Sequence, residues 1–382
     1  MAVEAGRLTQ AYMKIKSFLA FLVLISIVVT GCAGNRFAAV AGWAGPVVSE
    51  DLVYVGSRSG RVLALDVNTG AQRWIFPTEG SDPLGGLYGT PAVDDGRLFV
   101  GTYDGRLYAL DAADGTLLWQ FLVSETQNAS IVGGPTVADG LVLFGSSDYC
   151  VRALRVADGT QAWLLPFCAE NKVWSTPTVV GDKVYIGSLD HRVYALSLRD
   201  GTQQWAFEAK GAIVSSPLVV DGKVFVGSFD RSFYVLDASS GRELQSFEGD
   251  GWFWASPITD GKRVYAATMG GKLYALDTGR NSVWRELPVT GLENPVVSTP
   301  VLVDGNIAIV SDGGFLFTLS PDTGQLLATK FNIKDEARAP LGAGNGVVYA
   351  NVKGESVWAV RVGAGQKMMW RWCDTPTGEC KD

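Results

Sequence analysis

The side chains of this sequence that could do chemistry belong mainly to two rare residue types, five cysteines and a single histidine. His191 follows Asp190 where comparable turns of the chain carry glycine, which indicates an exposed turn residue. One histidine in such a place does not support a Ser-His-Asp triad, and no Cys-x-x-Cys spacing indicates a metal site. We therefore expect no catalytic residues and no metal, and consider the cysteines for lipid attachment and disulfide formation.

Cys32 ends an N-terminal segment with the features of a targeting signal. Two lysines precede an apolar stretch over residues 18–29, which is too short to span a bilayer comfortably. The tetrad Val29-Thr30-Gly31-Cys32 resembles the bacterial lipoprotein signal motif, in which the cysteine becomes the lipidated first residue. The alternative is an ordinary cleaved signal with a chance cysteine. We expect residues 1–31 to be the signal peptide, Cys32 to carry lipid and residues 32–42 to form a tether.

The remaining four cysteines suggest two local disulfides. Cys150 begins one apparent strand and Cys168 ends the next, and a turn midway between them brings the two roughly opposite each other. Cys373 and Cys380 enclose a short loop in a C-terminal tail over residues 373–382. A metal site is the alternative interpretation of these cysteines. Two disulfides fit an oxidising compartment, as an exported protein requires.

The elements that must position these residues come from an internal repeat of about 40 residues. Each unit begins with a proline preceded by small residues, and these prolines are Pro46, Pro91, Pro135, Pro177, Pro217, Pro257, Pro300 and Pro340. Short apolar segments and tight turns, often Asp-Gly, follow in a fixed order that predicts four strands per unit. The sequence therefore predicts an all-β fold, an eight-bladed β-propeller of four-stranded antiparallel blades over residues 43–372.

The repeat identifies a family. The unit VYVGSRSGRVLALDVNTGAQRW, from Val53 to Trp74, resembles the PQQ-type propeller repeat, with a pattern of roughly Ala-x-Asp-x-x-Thr-Gly-x-x-x-Trp. Gln245 and Ala328 stand where the fifth and seventh units should carry tryptophan. In this family the repeat tryptophans dock between adjacent blades. The resemblance thus implies a structural docking role for Trp74, Trp119, Trp163, Trp205, Trp284 and Trp370.

A lipoprotein signal on an eight-bladed propeller of this repeat also resembles the BamB-type lipoproteins of outer-membrane assembly. The resemblance implies an exported, lipid-anchored, non-enzymatic scaffold that binds other envelope proteins. In a diderm bacterium it would lie on the periplasmic face of the outer membrane and bind a β-barrel assembly complex. In a monoderm it would lie on the outer face of the cell membrane.

A set of aromatic residues offers a candidate binding site. Three residues before the repeat prolines lie Trp43, Tyr88, Val132, Trp174, Val214, Trp254, Val297 and Ala337. The first strand of each propeller blade lines the central channel, so these positions should form a ring at one channel mouth. We expect Trp43, Tyr88, Trp174 and Trp254 either to plug the mouth as packed core or to form an aromatic funnel that binds a peptide, a partner loop or a planar ligand.

Two other function classes find less support. Quinoprotein dehydrogenases share this propeller, but they carry adjacent cysteines near the quinone and a calcium site, and this sequence has no Cys-Cys pair. We therefore expect neither PQQ nor calcium as a cofactor, and keep quinone-dependent oxidation or small-ligand binding as the alternative function. The net charge of −7 without a run of lysine or arginine argues against nucleic-acid binding.

Overall fold

The computed structural model describes residues 42–125, 129–278, 284–287, 292, 294–353, 356–363, 365–375, 378 and 380, without the side chain of Trp284. Cys32 and the expected signal peptide lie outside these residues, as does nearly all of the expected tether. The described residues form strands and turns and no helix. None of them therefore belongs to a helix long and apolar enough to cross a membrane.

The strands assemble into eight sheets of four antiparallel strands each, which confirms the predicted eight-bladed β-propeller. Blades 1 and 2 consist of β1 (Val47–Ser49), β2 (Leu52–Gly56), β3 (Val62–Asp66), β4 (Gln72–Phe76), and β5 (Ala92–Asp94), β6 (Arg97–Gly101), β7 (Arg106–Asp111), β8 (Leu117–Leu122). Blades 3 and 4 consist of β9 (Thr136–Ala138), β10 (Leu141–Gly145), β11 (Cys150–Arg155), β12 (Phe167–Cys168), and β13 (Thr178–Val180), β14 (Lys183–Gly187), β15 (Arg192–Ser197), β16 (Gln203–Glu208).

The second half of the chain repeats this arrangement. Blades 5 and 6 consist of β17 (Leu218–Val220), β18 (Lys223–Gly227), β19 (Ser232–Asp237), β20 (Glu243–Glu248), and β21 (Ile258–Thr259), β22 (Arg263–Ala267), β23 (Leu273–Asp277), β24 (Trp284–Leu287). Blades 7 and 8 consist of β25 (Val301–Val303), β26 (Asn306–Val310), β27 (Phe315–Leu319), β28 (Phe331–Asn332), and β29 (Gly342–Gly344), β30 (Val347–Val352), β31 (Ser356–Arg361), β32 (Lys367–Cys373).

Tight turns set the register within each blade. In blade 2, Asp95 and Gly96 connect β5 to β6 with φ values of 42° and 70°. Positive φ at both central residues is the requirement of the two-residue hairpin turn that Asp-Gly satisfies at low cost. The register that follows pairs Ala92 with Phe99 and Asp94 with Arg97.

The core lies between the blades. Each of the eight clusters of buried apolar residues joins two neighbouring blades, as when Tyr185 and Val193 of blade 4 pack with Val224 and Leu236 of blade 5. Fully burying an aliphatic side chain contributes about 1.5–3 kcal/mol to folding stability. A single blade cannot bury its apolar side chains by itself, because they need the face of a neighbouring blade to pack against. The ring must therefore close for the first and last blades to be stable.

Closure joins blade 8 to blade 1 through side chains. Asn351 donates from Nδ2 to the carbonyl oxygens of Ala44 and Gly56, both at 2.9 Å. Trp370 donates from Nε1 to the carbonyl oxygen of Val67 at 3.0 Å. The sheet of blade 8 takes all four of its strands from its own repeat.

Candidate functional site

A cavity of about 330 Å³ occupies the central channel. Its lining contains seven of the eight residues that the sequence placed three positions before the repeat prolines: Trp43, Tyr88, Val132, Trp174, Val214, Trp254 and Val297. The four aromatic members of this set are half-buried rather than packed into the core. The structure therefore brings Trp43, Tyr88, Trp174 and Trp254 together around one open space.

The eighth ring position was predicted wrongly. Ala337 was expected there, but it is fully buried, and Arg338 lines the cavity instead. In blade 4 the first strand begins one residue after Pro177, whereas in blade 8 it begins two residues after Pro340. Because successive side chains of an extended segment point to opposite sides, this shift by one residue exchanges the buried and the channel-facing positions.

The same alternation explains why small residues precede the repeat prolines. In blade 4, Val173 and Ser175 are buried, while Trp174 and Thr176 face the cavity. Ser175 Oγ donates to the carbonyl oxygen of Gly187 at 2.9 Å and accepts from its N–H at 2.8 Å, which fixes the segment to the second strand of the blade. The neighbouring blade approaches closely here, since a Cβ on Gly133 would lie 2.6 Å from the carbonyl oxygen of Trp174.

A belt of hydrogen bonds runs along one side of the cavity and links blades 3 to 7. Residues directly before the repeat prolines accept a hydrogen bond at the side-chain hydroxyl from the backbone N–H of the equivalent residue one blade earlier. These bonds are Gly134 N to Thr176 Oγ1 (2.9 Å), Thr176 N to Ser216 Oγ (3.0 Å), Ser216 N to Ser256 Oγ (2.9 Å) and Ser256 N to Thr299 Oγ1 (3.2 Å). The sequence predicted small residues at these positions but not this belt, whose signal is the repeated Ser/Thr-Pro pair.

The aromatic residues form two clusters at the mouth. On one side the rings of Trp43 and Tyr88 meet edge to face with centroids 4.7 Å apart. The ring centroid of Tyr88 lies 5.3 Å from that of Tyr103. Burial, with the nearby Tyr103 hydroxyl adding to it, raises the pKa of Tyr88, so this phenol stays protonated at neutral pH.

The second cluster is a stack of three rings. Phe229 lies between Trp252 and Trp254, with centroid distances of 5.1 and 5.5 Å. Trp252 is 49% exposed, so the stack leads from the cavity to the protein surface. Trp174 stands apart from both clusters, where its Nε1 donates to Ser147 Oγ at 3.0 Å and Lys172 Nζ lies 5.5 Å from its ring centroid.

A charged sector lies beside the aromatic residues, on blades 7, 8 and 1. Arg338 pairs with Glu336 at 2.9 Å and with Asp312 at 3.6 Å, and Lys353 pairs with the same Glu336 at 3.3 Å. Arg58 donates to the backbone carbonyl oxygen of Lys353. The mouth therefore has an apolar side that can pack against a ring and a charged side that can orient a polar group.

The predicted docking tryptophans lie at the blade seams. Five of them each donate from Nε1 to a backbone carbonyl of the next blade at 2.9–3.1 Å: Trp74 to Ala112, Trp119 to Val156, Trp163 to Leu198, Trp205 to Ala238 and Trp370 to Val67. The sixth, Trp284, belongs to β24, but its side chain lies outside the described residues.

Each of these five rings packs on a turn glycine, a contact that was not predicted from the sequence. A Cβ on Gly115 would lie 2.6 Å from Trp74 Cε3, and glycines at the other four seams are equally close to their tryptophans. At the seam between blades 7 and 8, where tryptophan is missing at Ala328, Gln366 Nε2 donates back to Thr318 Oγ1 at 2.8 Å. The glycine and the tryptophan that recur in the repeat thus meet across each of these five seams, where the glycine of one blade contacts the tryptophan of the preceding blade.

The cysteines of the described residues form two disulfides. Cys150 is joined to Cys168, which lies directly opposite it in the β11–β12 pairing. Cys373 is joined to Cys380. His191 is an exposed turn residue with φ of 75°. Within the described ranges, no three His, Cys, Asp or Glu side chains are grouped so that they could hold a metal ion.

Comparisons with known proteins give one family, from its sequence model, and one fold, from solved structures. The family described as outer membrane protein assembly factor BamB matches residues 35–192 and 189–379. The crystal structure of BamB from Moraxella catarrhalis matches with a TM-score of 0.65 and 22% identity, covering 81% of this chain and 91% of that one. The computationally designed protein Ika8 matches with a TM-score of 0.69 and 17% identity, covering 84% and 95%. No curated protein matches the sequence. At these identities the two solved structures establish the propeller fold alone.

Proposed function

We propose, from the premise that this chain belongs to the family of the outer membrane protein assembly factor BamB, that it is an extracytoplasmic scaffold that binds other envelope proteins. Its anchor is a lipid on Cys32. In a diderm cell the scaffold lies on the periplasmic face of the outer membrane and serves the assembly of β-barrel proteins. In a monoderm cell it lies on the outer face of the cell membrane. The two disulfides support an oxidising compartment in either case.

The observation that carries this proposal is the cluster of half-buried aromatic residues at the channel mouth. Trp252 exposes half of its surface although Phe229 and Trp254 stack behind it. Large aromatic residues held rigidly at a surface are the side chains that most often dominate protein interfaces, because they bury a large area at a small cost in conformational entropy. We assign the partner-binding face to this mouth.

Site-specific photocrosslinking in intact cells tests the assignment. A photoreactive amino acid replaces Trp252 at the mouth. In a matched control it replaces Leu244, which is 41% exposed on the outer strand of blade 5, shortly before Trp252 in the chain. We expect defined adducts from position 252 that mass spectrometry identifies as envelope proteins, with β-barrel assembly subunits among them in a diderm host. Adducts from position 244 alone, or the same set from both positions, would contradict the mouth as the binding face.

We also propose that the chain is not an enzyme and uses neither PQQ nor calcium. This proposal is supported by the sequence, which lacks the adjacent cysteines of quinoprotein dehydrogenases. A ligand that binds only the folded state raises the melting temperature by mass action. We expect PQQ with calcium to leave the melting temperature unchanged. A reproducible rise, together with dye-linked alcohol oxidation, would favour the quinoprotein alternative.

A further inference from the structure

A second concave surface lies at the outer strands of blades 7 and 8. This outer groove has a volume of about 810 Å³ and shares no described lining residue with the central cavity. Its walls come from β28 and the residues just after it in blade 7, from β31 and β32 in blade 8, and from the turn over residues 69–72 in blade 1. The described lining contains two ionisable side chains, Lys334 and Arg371, and no carboxylate.

Arg371 is held in place by an aromatic ring. It lies directly opposite Trp358 in the β31–β32 pairing, and its guanidinium carbon lies 4.8 Å from the ring centroid of that tryptophan. Trp358 is itself fixed, since it is 4% exposed and donates from Nε1 to Ser356 Oγ at 3.0 Å. A stacked guanidinium directs its N–H groups outward in its own plane, where a carboxylate can accept two of them.

Neither cation of the outer groove is neutralised by the protein. The Nε of Arg371 is buried without an acceptor, and its guanidinium forms no hydrogen bond or ion pair with any described residue. This charge has therefore lost part of its hydration with no hydrogen bond in return, which strengthens its attraction to an added anion. Lys334 is exposed and likewise has no ion pair in the described part of the chain.

Cations at equivalent places in other blades are paired. In blades 4, 5 and 6 a cation at the start of the third strand pairs with a glutamate of the outer strand: Arg192 with Glu208 at 3.3 Å, Arg231 with Glu248 at 2.6 Å and Lys272 with Glu286 at 2.8 Å. Four cations of blades 7 and 8 have no such partner within the described ranges: Lys330, Lys334, Lys367 and Arg371. The neighbouring Asp335 does not line the groove and accepts from the N–H of Glu336 at 2.7 Å. Because the whole chain carries a net charge of −7, this is a cationic region on an acidic protein.

We propose that the outer groove binds an acidic segment of a partner protein, with one carboxylate on Arg371, a second on Lys334 and an apolar side chain against Met368 and Phe331. Met368 is 43% exposed, and a methionine side chain adapts to the shape of the group that it contacts. The volume lies in the range of ligand-binding clefts, and a concave surface favours a segment that can enter it over a flat bilayer. Opposite charges on the two partners also favour their encounter. This site is separate from the channel mouth, so the inference goes beyond the proposed function.

Titration calorimetry with the purified full chain tests the preference for negative charge. The probes are acetyl-Glu-Phe-Glu-Phe-Glu-amide and acetyl-Gln-Phe-Gln-Phe-Gln-amide, which is neutral and nearly the same in size and shape. We expect the acidic peptide to bind at least about tenfold more tightly, because charge-assisted hydrogen bonds are roughly twice as strong as neutral ones. The preference should shrink in about 1 M salt, where the screening length falls to about 3 Å.

The groove variants are Arg371→Gln and Lys334→Gln, and the control Arg231→Gln removes one positive charge outside the groove. We expect each groove variant to weaken binding of the acidic peptide about tenfold, which corresponds to the loss of one hydrogen bond to a charged group, and the control to leave it unchanged. Since Lys334 is exposed, Lys334→Gln should melt like the wild type and provides the test even if Arg371→Gln destabilises blade 8.

Four results would overturn the inference: no peptide binding, equal affinity for the two peptides, unchanged affinity in both groove variants, or an equal loss in Arg231→Gln. Sedimentation of Cys32→Ser, which lacks the proposed anchor, with phosphatidylglycerol vesicles tests a bilayer as the occupant. Vesicle binding that both groove substitutions abolish, without peptide binding, would replace the partner segment with a membrane contact. Adducts from position 252 with no peptide binding would leave the proposed function standing without this second site.

Discussion

Trp370 of the last blade donates its indole N–H to the backbone carbonyl oxygen of Val67 in the first blade at 3.0 Å. Its ring lies against Gly70, where an added Cβ would come within 2.6 Å of the indole. Trp74 makes the same pair of contacts with Ala112 and Gly115 one blade further on. The propeller therefore closes with the same tryptophan–glycine contact that joins consecutive blades, although the first and last blades lie at opposite ends of the chain.

Substitution of the seam glycine tests how much this contact stabilises the propeller. Gly115→Ala has to adopt a φ near 77° and places a Cβ 2.6 Å from Trp74, whereas Gly96→Ala meets a similar φ of 70° with no atom within 4 Å. In both variants the strained backbone conformation lowers the free energy of unfolding by about 1–2 kcal/mol. In Gly115→Ala, overpacking against Trp74 lowers it by about a further 1–3 kcal/mol. Urea unfolding should show the larger loss of stability for Gly115→Ala. Equal losses in the two variants would mean that Trp74 can move away from the added methyl group without destabilising the propeller.

The blade pattern could be predicted from the sequence because its signals are local. Asp95-Gly96 determines one hairpin, and turns with both central residues at positive φ recur at Asp139-Gly140, Asp221-Gly222, Asp304-Gly305 and Asn345-Gly346. The residues at the channel mouth could be predicted from their distance to the repeat prolines, because a propeller places equivalent positions of its repeats on one circle. Arg338 was missed because that distance changes by one residue at Pro340, where the first strand begins later. Such a shift is visible only once the pairing of Gly342 with Tyr349 is known.

Stability should depend on pH through Asp66. This carboxylate pairs with Arg73 at 2.5 Å and accepts from Thr69, and these contacts lower its pKa to about 2. An aspartate in the unfolded chain titrates near 3.9, so the native state gains stability above about pH 4 and loses it as the pH falls toward 2. We expect Asp66→Asn to cost about 1 kcal/mol at pH 7, since Arg73 is exposed to solvent. The difference in urea midpoint between the wild type and Asp66→Asn should stay unchanged from pH 7 to 5 and narrow below pH 4. A difference that persists at pH 2.5 would contradict the role of the Asp66 carboxylate in this pH dependence.

Lipid attachment at Cys32 is tested by its removal. The mature protein is expected to begin at Cys32 and to partition into detergent, because each buried acyl CH₂ contributes about 0.8 kcal/mol and more than one chain anchors stably. We expect Cys32→Ser to leave the membrane fraction, and mass spectrometry of the wild type to find an acylated N-terminal cysteine. Cys380→Ser serves as a cysteine control that leaves the anchor intact. Retention of Cys32→Ser at the wild-type level would rule out the lipid as the anchor.

The aromatic mouth and the buried seam should respond differently to truncation. Trp254 is half-buried at the cavity, whereas Trp163 is 3% exposed and donates to Leu198 across a seam. Removing a packed tryptophan costs roughly 3–5 kcal/mol of folding free energy, so Trp163→Ala should lower the melting temperature by many degrees. A residue that serves binding contributes less to folding, so Trp254→Ala should melt within a few degrees of wild type and lose the adducts formed from position 252. If Trp254→Ala instead melts as low as Trp163→Ala while its folded fraction still forms those adducts, the mouth residues are a plug of the core, and the partner contacts lie on the surrounding loops or blade edges.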